Sequence, residues 1–469
     1  MSQAALKQDT QDRIISTSPG NGYAVLGEVD VSSPAEIKEK VALARKAQQS
    51  WEDMGLEKRM ACLRELIPLF EKNKGEFVKR TSEEMGMPHG LSTNLVDGAI
   101  EQLTWNLENA TKYLATETLH EDDAEITEMT YEPRGVMACI VAWNFPLPNF
   151  VWSASQGLLA GNTIVMKYSE EVPLFCKFLE TIIAQTSIPK GVVNFIYGSG
   201  KTGDALLDEK LDFVSFTGSS QTGGHIYKRA AESFTPVALE LGGSSPGIVF
   251  EDCEITDELV EAIFWQRFLN SGQFCDGLKR LIVHKSHHDE LVKKLVDFAK
   301  ARKVGNPLNT ETELGPLVAE RQVLKMEEQI KDAIKKGAKI VCGGQKPTGL
   351  SGAYYEPTII TNVTRDMRVW SEEVFGPALA VVTFETYEEA IELGNDTPYG
   401  LSGFIYTNSK ETEKKALRDI QAGSLTTLGA HYYRPQNPFG GYKASGIGRQ
   451  GGKIGFHETC QIKVTSRKK

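Results

Sequence analysis

The residues able to do chemistry lie in a few short stretches. Cys275 closes the polar turn Asn270-Ser-Gly-Gln-Phe-Cys275, between the apolar segment 259–269 and the strand-like run 278–283. A cysteine on a loop between regular elements can be accessible and reactive, whereas most cysteines pack as small hydrophobes. Cys275 is therefore the candidate covalent nucleophile. Glu240 interrupts the apolar run 237–241. Burial there would raise its pKa and make it a candidate general base. Asn144, in Trp143-Asn-Phe-Pro146, carries a neutral amide suited to a developing oxyanion. Each residue also has a plainer reading: an inert loop thiol, a strand-edge glutamate facing solvent, an Asx turn before proline.

Other stretches suit a nucleotide. Gly198-Ser-Gly-Lys-Thr-Gly203 matches G-x-G-x-x-G, and Gly218-Ser-Ser-Gln-Thr-Gly223 follows another strand and leads into a helix. Backbone N–H groups at a helix start can hold a pyrophosphate. A tight strand-to-helix turn explains either stretch equally well, and the residues alone do not choose between them. Lys167 and Glu170, in Met166-Lys-Tyr-Ser-Glu170, can hydrogen-bond ribose hydroxyls. A carboxylate facing a 2′-hydroxyl favours NAD over NADP, because it would repel a 2′-phosphate.

These residues need elements to position them. Residues 34–118 read as largely helical, with Ser33 a cap candidate before Pro34. From Gly135 strands alternate with helices: runs at 136–143, into 167, 192–197 and 213–216. That alternation implies a parallel sheet with helices on both faces and ligands at the carboxyl ends of the strands. A second α/β series starts near Gly243, with Gly242-Gly243 as a hinge candidate. It has helices at 256–268, 286–302 and 320–336 and strands at 339–342, 378–383 and 402–406. Segments 125–131 and 459–464 read as exposed β edges, which need covering.

Composition narrows the class. The chain has 469 residues, enough for two or three domains, with 41% hydrophobic and 24% charged residues. A net charge of −10 argues against a nucleic-acid surface, which needs a basic face. No apolar run is long enough for a membrane span, and the polar first 12 residues do not read as a secretory signal. The seven cysteines are scattered and never paired as C-x-x-C, which suits a reducing cytoplasm rather than disulfides or zinc. No metal is expected.

Seven motifs then occur in order: Trp143-Asn-Phe-Pro146, Lys167-x-Ser-Glu170, Phe216-Thr-Gly-Ser219, Leu239-Glu-Leu-Gly-Gly243, Asn270-x-Gly-Gln-x-Cys275, Glu372-Glu-Val-Phe-Gly-Pro377 and Pro438-Phe-Gly-Gly-Tyr-Lys-x-Ser-Gly446. Together they resemble the aldehyde dehydrogenase superfamily, in its hydrolytic, non-acylating branch. The resemblance implies a Rossmann-like nucleotide-binding domain (1–118 and 133–242), an α/β catalytic domain (243–445) and a small β oligomerisation arm with the C-terminal tail (119–132 and 446–469). It implies that Cys275 forms a thiohemiacetal and then a thioester, that Asn144 and the Cys275 N–H hold the oxyanion, and that Glu240 activates the hydrolytic water. Lys167 and Glu170 would bind the adenine ribose, Gly218 and Ser219 the pyrophosphate, and Glu373 the nicotinamide ribose beside Phe375 and Trp143. The Gly198–Gly203 loop is then demoted to the adenine side. Asn149, Trp152, His431, Tyr433, Arg434 and Phe439 would line the substrate entrance. Arg434 and His431 would suit a carboxylate-bearing short aldehyde such as succinate semialdehyde, and the tyrosines an aromatic or small hydroxyaldehyde.

The resemblance also implies a homodimer or homotetramer whose β edges pair between subunits, and a small-molecule aldehyde as the only partner. Tyr168 stands where the family usually has proline and Ser244 where lysine is common. Asp276 is awkward, because a carboxylate beside a thiol should raise its pKa. Two other readings stay open: a catalytically silent relative of the same fold, and cysteine-dependent acyl transfer or thioester hydrolysis without nicotinamide.

Overall fold

The computed structural model describes residues 9–10, 12–430 and 432–469; His431 lies outside them. The molecule is α/β, with a Rossmann-like nucleotide-binding sheet and an α/β catalytic sheet. The first sheet has six strands, in the order Gly446–Ile447, Val237–Glu240, Phe213–Thr217, Val136–Val141, Thr163–Tyr168 and Val193–Ile196. Five run parallel, and Gly446–Ile447 pairs antiparallel to Leu239–Glu240. Val136–Val141 and Thr163–Tyr168 are buried at every position. Helices covering both faces explain why these strands read as unbroken apolar runs.

The second sheet has seven strands: Lys339–Cys342, Thr358–Thr361, Ala378–Phe384, Leu278–His284, Ser245–Val249, Ser402–Tyr406 and Ser424–Thr427. Only Lys339–Cys342 runs antiparallel. The chain passes from one sheet to the other through Leu241-Gly-Gly-Ser244, between strands ending at Glu240 and starting at Ser245. The hinge candidate is thus the link between the sheets. The expected helices stand at Asp257–Phe268, His288–Lys300 and Glu320–Lys335. Ser33 caps Pro34–Asp53, its hydroxyl accepting from Glu36 N at 3.2 Å.

A third sheet is antiparallel, in the order Cys460–Lys468, Glu125–Pro133, Glu117–Glu121. The two segments read as β edges pair with each other within one chain, from Cys460 opposite Pro133 to Lys468 opposite Glu125. This corrects the expectation that they find each other only between subunits. The outer edge of Cys460–Lys468 stays open, and Ile462 and Val464 remain exposed. Residues 446–458 do not join this arm. Gly446–Ile447 belongs to the six-stranded sheet, and Gly452–Glu458 is a helix. An N-terminal hairpin, Arg13–Ser18 with Ala24–Asp30, was not foreseen. Among the described residues no helix is long and apolar enough to cross a membrane.

Candidate active site

Each residue of Asn270-Ser-Gly-Gln-Phe-Cys275 has a structural task. The helix Asp257–Phe268 ends in a turn where Asn270 and Ser271 adopt left-handed backbone, φ 49° and 54°. Two consecutive non-glycine residues there cost roughly 1–2 kcal/mol each. Side-chain bonds hold the turn. Gln273 Nε2 donates to Asn270 O at 3.1 Å and Pro316 O at 3.3 Å, while its Oε1 accepts from Val318 N at 2.8 Å. Ser271 Oγ donates to Gly315 O at 2.7 Å. A side chain on Gly272 would collide with the Gly376 carbonyl. The turn delivers Cys275 half-buried just before the strand Leu278–His284.

Asn144 comes from the loop after the strand Val136–Val141. Its Nδ2 donates to Gln273 O at 3.1 Å, and Asn270 Nδ2 donates back to Asn144 O at 3.3 Å. The proposed oxyanion donor thus lies against the nucleophile turn. Glu240 ends its strand at 2% exposure, and neither carboxyl oxygen has a hydrogen-bond partner among the described residues. Burial raises its pKa well above the usual carboxylate range. Arg449 pulls it down, and Glu458 and Asp276 push it up. A buried carboxyl with free oxygens can take a proton from a water placed against it.

The Cys275 thiol is raised well above its ordinary value, first by burial and then by Asp276; Lys279 opposes, and Glu373 and Glu240 add to the rise. Of these neighbours, Lys279 was not singled out from the sequence, and Asp276 was noted only as awkward. Lys279 lies in a strand buried at every position. Its Nζ donates to Phe274 O at 2.8 Å and Cys275 O at 2.9 Å, and stands 3.6 Å from Glu373 Oε1. A lysine in a strand whose other residues include Arg280 and His284 gave no local clue. Asp276, 3% exposed, accepts hydrogen bonds from the Tyr432 and Tyr433 hydroxyls on Oδ2, while Oδ1 lies 3.9 Å from Cys275 Sγ. The awkward carboxylate is therefore held by two donors from the segment 432–433.

The nucleotide candidates lie along the carboxyl ends of the six-stranded sheet. Ser219 caps the 12-residue helix Ser220–Ala231, its hydroxyl accepting from Thr222 N at 3.2 Å. A side chain on Gly218 would collide with the Phe216 ring, and one on Gly223 with Leu241. Lys167 is buried and donates to Tyr168 O at 3.1 Å, and Glu170 is half-buried with Ser169 Oγ 3.4 Å away. Glu373 accepts from Gly243 N at 3.2 Å, and Phe375 meets Trp143 edge-on with ring centroids 5.6 Å apart. Two carboxylates, a helix N-terminus and an aromatic pair fit the ribose, phosphate and ring parts of a dinucleotide. The Gly198 turn has another explanation. Its φ is 152°, and a Cβ there would collide with Thr202 Oγ1, so glycine is needed simply to close strand onto helix.

The entrance residues divide. Trp152 lies half-buried in the π-helical turn Val151–Ser155, 6.2 Å from the Phe145 ring. Phe439 is parallel to Tyr432 at 6.4 Å, and the Tyr432 and Tyr433 rings stack at 4.4 Å. Arg434 is exposed. Asn149 departs from expectation: it is 2% exposed and its Nδ2 donates to Ala142 O at 2.9 Å, so its amide braces the Trp143 loop instead of facing substrate. Tyr168, in the usual proline position, donates to Pro146 O at 2.8 Å and braces the same loop from the other side.

Comparisons with known proteins place the whole chain in one family and fold. The sequence model described as the aldehyde dehydrogenase family matches residues 6–465. A betaine aldehyde dehydrogenase of Bacillus subtilis (strain 168) is 41% identical over 344 residues, which is 72% of this chain and 69% of that protein. The crystal structure of a betaine aldehyde dehydrogenase from Staphylococcus aureus in complex with NAD+ superposes with a TM-score of 0.93 at 31% identity, covering 98% of this chain and 92% of that one. An E. coli NADP-dependent enzyme superposes with a TM-score of 0.94 at 30% identity, covering 99% and 96%.

Proposed function

The chain belongs to the aldehyde dehydrogenase family, and on that premise we propose that it oxidises an aldehyde to the free carboxylic acid, with NAD preferred over NADP and Cys275 as nucleophile. The observation that carries this reading is the convergence on one turn of Cys275, the Asn144 amide and the electrostatically coupled Glu240. We assign residues 1–118 and 133–242 to the nucleotide and 243–445 to catalysis.

Cys275 gives its thiol proton to solvent water, and its Sγ attacks the carbonyl carbon. The oxyanion of the thiohemiacetal rests on Asn144 Nδ2 and the Cys275 N–H, donors already held before the charge develops. A bound nicotinamide supplies the hydride acceptor. Glu240 then takes a proton from water, whose oxygen attacks the thioester carbon. The C–S bond breaks, the departing sulfur takes the proton held by Glu240, and the thiol and a carboxylic acid result. Lys167 and Glu170 hold one ribose, Ser219 and the Gly218 turn the phosphates, and Glu373 the second ribose. Glu170 supports NAD, since its carboxylate disfavours a 2′-phosphate.

Charge around the sulfur guides the substrate reading. Asp276, Glu240 and Glu373 face Cys275 against Lys279 alone among the cited neighbours. This balance favours a neutral or cationic aldehyde over the succinate semialdehyde suggested by Arg434 and His431. The betaine aldehyde of the Bacillus relative's name is such a cation. Kinetics with betaine aldehyde, propionaldehyde and succinate semialdehyde decide the matter: the highest kcat/KM for the dianionic-product substrate would return the site to Arg434. Cys275→Ala is expected to cost at least about 10³-fold in aldehyde-dependent NADH formation. Glu240→Gln is expected to keep a pre-steady-state NADH burst while slowing turnover about 10²-fold. Near-normal turnover in the alanine variant would overturn the mechanism.

A further inference from the structure

The buried carboxylate of Asp276 has no part in the reaction steps, yet it touches both the nucleophile and the mouth. Its Oδ2 accepts from two hydroxyls, those of Tyr432 and Tyr433, and its Oδ1 lies 3.9 Å from Cys275 Sγ. Its backbone carbonyl is fixed as well, accepting from Ser402 Oγ at 2.6 Å and Ser245 Oγ at 3.3 Å. Ser402 and Ser245 begin two adjacent strands of the seven-stranded sheet, so the residue is anchored to the scaffold while its carboxylate reaches outward. Tyr433 is 62% exposed, and a side chain that open stays in place only if something holds its end. Asn437 Nδ2 also donates to Tyr432 O, tying the mouth loop to itself.

We infer that Asp276 is a positioning residue, a latch that holds the 432–437 mouth loop onto the nucleophile turn through two tyrosine hydroxyls, and that those hydroxyls in turn temper the charge it presents to Cys275 Sγ. One carboxylate thereby couples the shape of the entrance to the ionisation of the sulfur. Two donors on one oxygen draw its charge away from the thiol. Remove them and the full anion faces the sulfur; remove the anion and the thiolate loses its nearest repulsion. The other groups facing Cys275 are Lys279, which favours the thiolate, and Glu373 and Glu240, which oppose it. Glu240 is itself faced by Arg449 and Glu458. The latch variants leave each of these residues in place, and Asp276 acts on Glu240 and Lys279 as well as on the sulfur.

The test reads the rate of iodoacetamide alkylation at Cys275 against pH in the full-length protein without nucleotide, with the modified peptide identified by mass spectrometry. It requires no turnover, so it stands apart from the proposed catalytic cycle. Asp276→Asn keeps an oxygen for the tyrosines and removes the charge. Its alkylation midpoint is expected to fall by about one pH unit. Tyr432→Phe with Tyr433→Phe keeps the charge and removes the donors. Its midpoint is expected to rise, and backbone hydrogen exchange over 432–437 to accelerate severalfold. Tyr433→Phe alone, at an exposed side chain, should move the midpoint in the same direction by less and serves if the double variant does not fold. A purely structural role would shift both midpoints the same way or neither. An unmoved or raised midpoint in Asp276→Asn, or an unmoved or lowered one in the tyrosine variants, would overturn the latch.

Discussion

Lys279 is the residue whose removal should be most telling. Its ammonium is buried, donates to the carbonyls of Phe274 and Cys275, and approaches Glu373 at 3.6 Å. Burial lowers its pKa, and Glu373 supports the charge. It lowers the Cys275 pKa, whereas burial, Asp276, Glu373 and Glu240 raise it. The sign of a substitution follows. In Lys279→Met the thiolate loses its cationic support, so the thiol pKa rises further. The acid limb of kcat/KM, where the thiol must lose its proton and which reports ionisations of the free enzyme, should move to higher pH. A limb that stays in place or moves down would separate Lys279 from the sulfur. Asn144 presents the contrasting case. It was legible in sequence because its motif carries the role, whereas Lys279 sits in a run that reads only as strand. Its partners Phe274 and Glu373 are 5 and 94 positions away (279 − 274, 373 − 279), and only the folded sheet brings the second within reach.

At the scale of elements, two buried guanidinium groups do much of the holding. Arg280 donates to the carbonyls of Ser244, Leu393, Gly394 and Asp396 and lies 4.7 Å over the Trp370 ring. It thus caps the C-terminal end of the helix Tyr387–Asn395, where unpaired carbonyls and the helix dipole favour a cation. Arg267 does the same for the Glu373 loop, donating to the carbonyls of Val374, Gly376 and Ala378. Arg280→Met should strand several buried carbonyls and destabilise the fold by about 3 kcal/mol; a denaturant midpoint within error of the parent would contradict that role. The helices and most strands were legible because their period and caps are local, as at Ser33, whose hydroxyl accepts from Glu36 N. The strands Thr358–Thr361 and Ser424–Thr427 were not. The pairing of Glu125–Pro133 with Cys460–Lys468 was misassigned. Each reads as an exposed edge, and nothing local says whether the partner belongs to the same chain.

The whole molecule ends in an unfinished surface. The three-stranded arm has solvent on most of its residues, and Cys460–Lys468 offers an open edge with Ile462 at 61% and Val464 at 56% exposure. Such an edge is a template for another strand. We expect light scattering to give a dimer or tetramer, and truncation after Thr459 to give a smaller species; a monomer from the intact chain would refute the assembly. The same ribbon carries a consequence for how the protein is made. Pro133 finds its partner in Cys460, 327 positions later (460 − 133). At translation rates of 5–20 residues per second, that wait lasts roughly 15 to 65 s. Throughout it the early hairpin strand hangs from a growing chain with one side unzipped. The residues that close it follow every strand of both large sheets in the chain, so closure of the arm comes after those strands are made. Without Cys460–Lys468 the arm would keep only Glu125–Pro133 and Glu117–Glu121, and the open edge would fall to Glu125–Pro133.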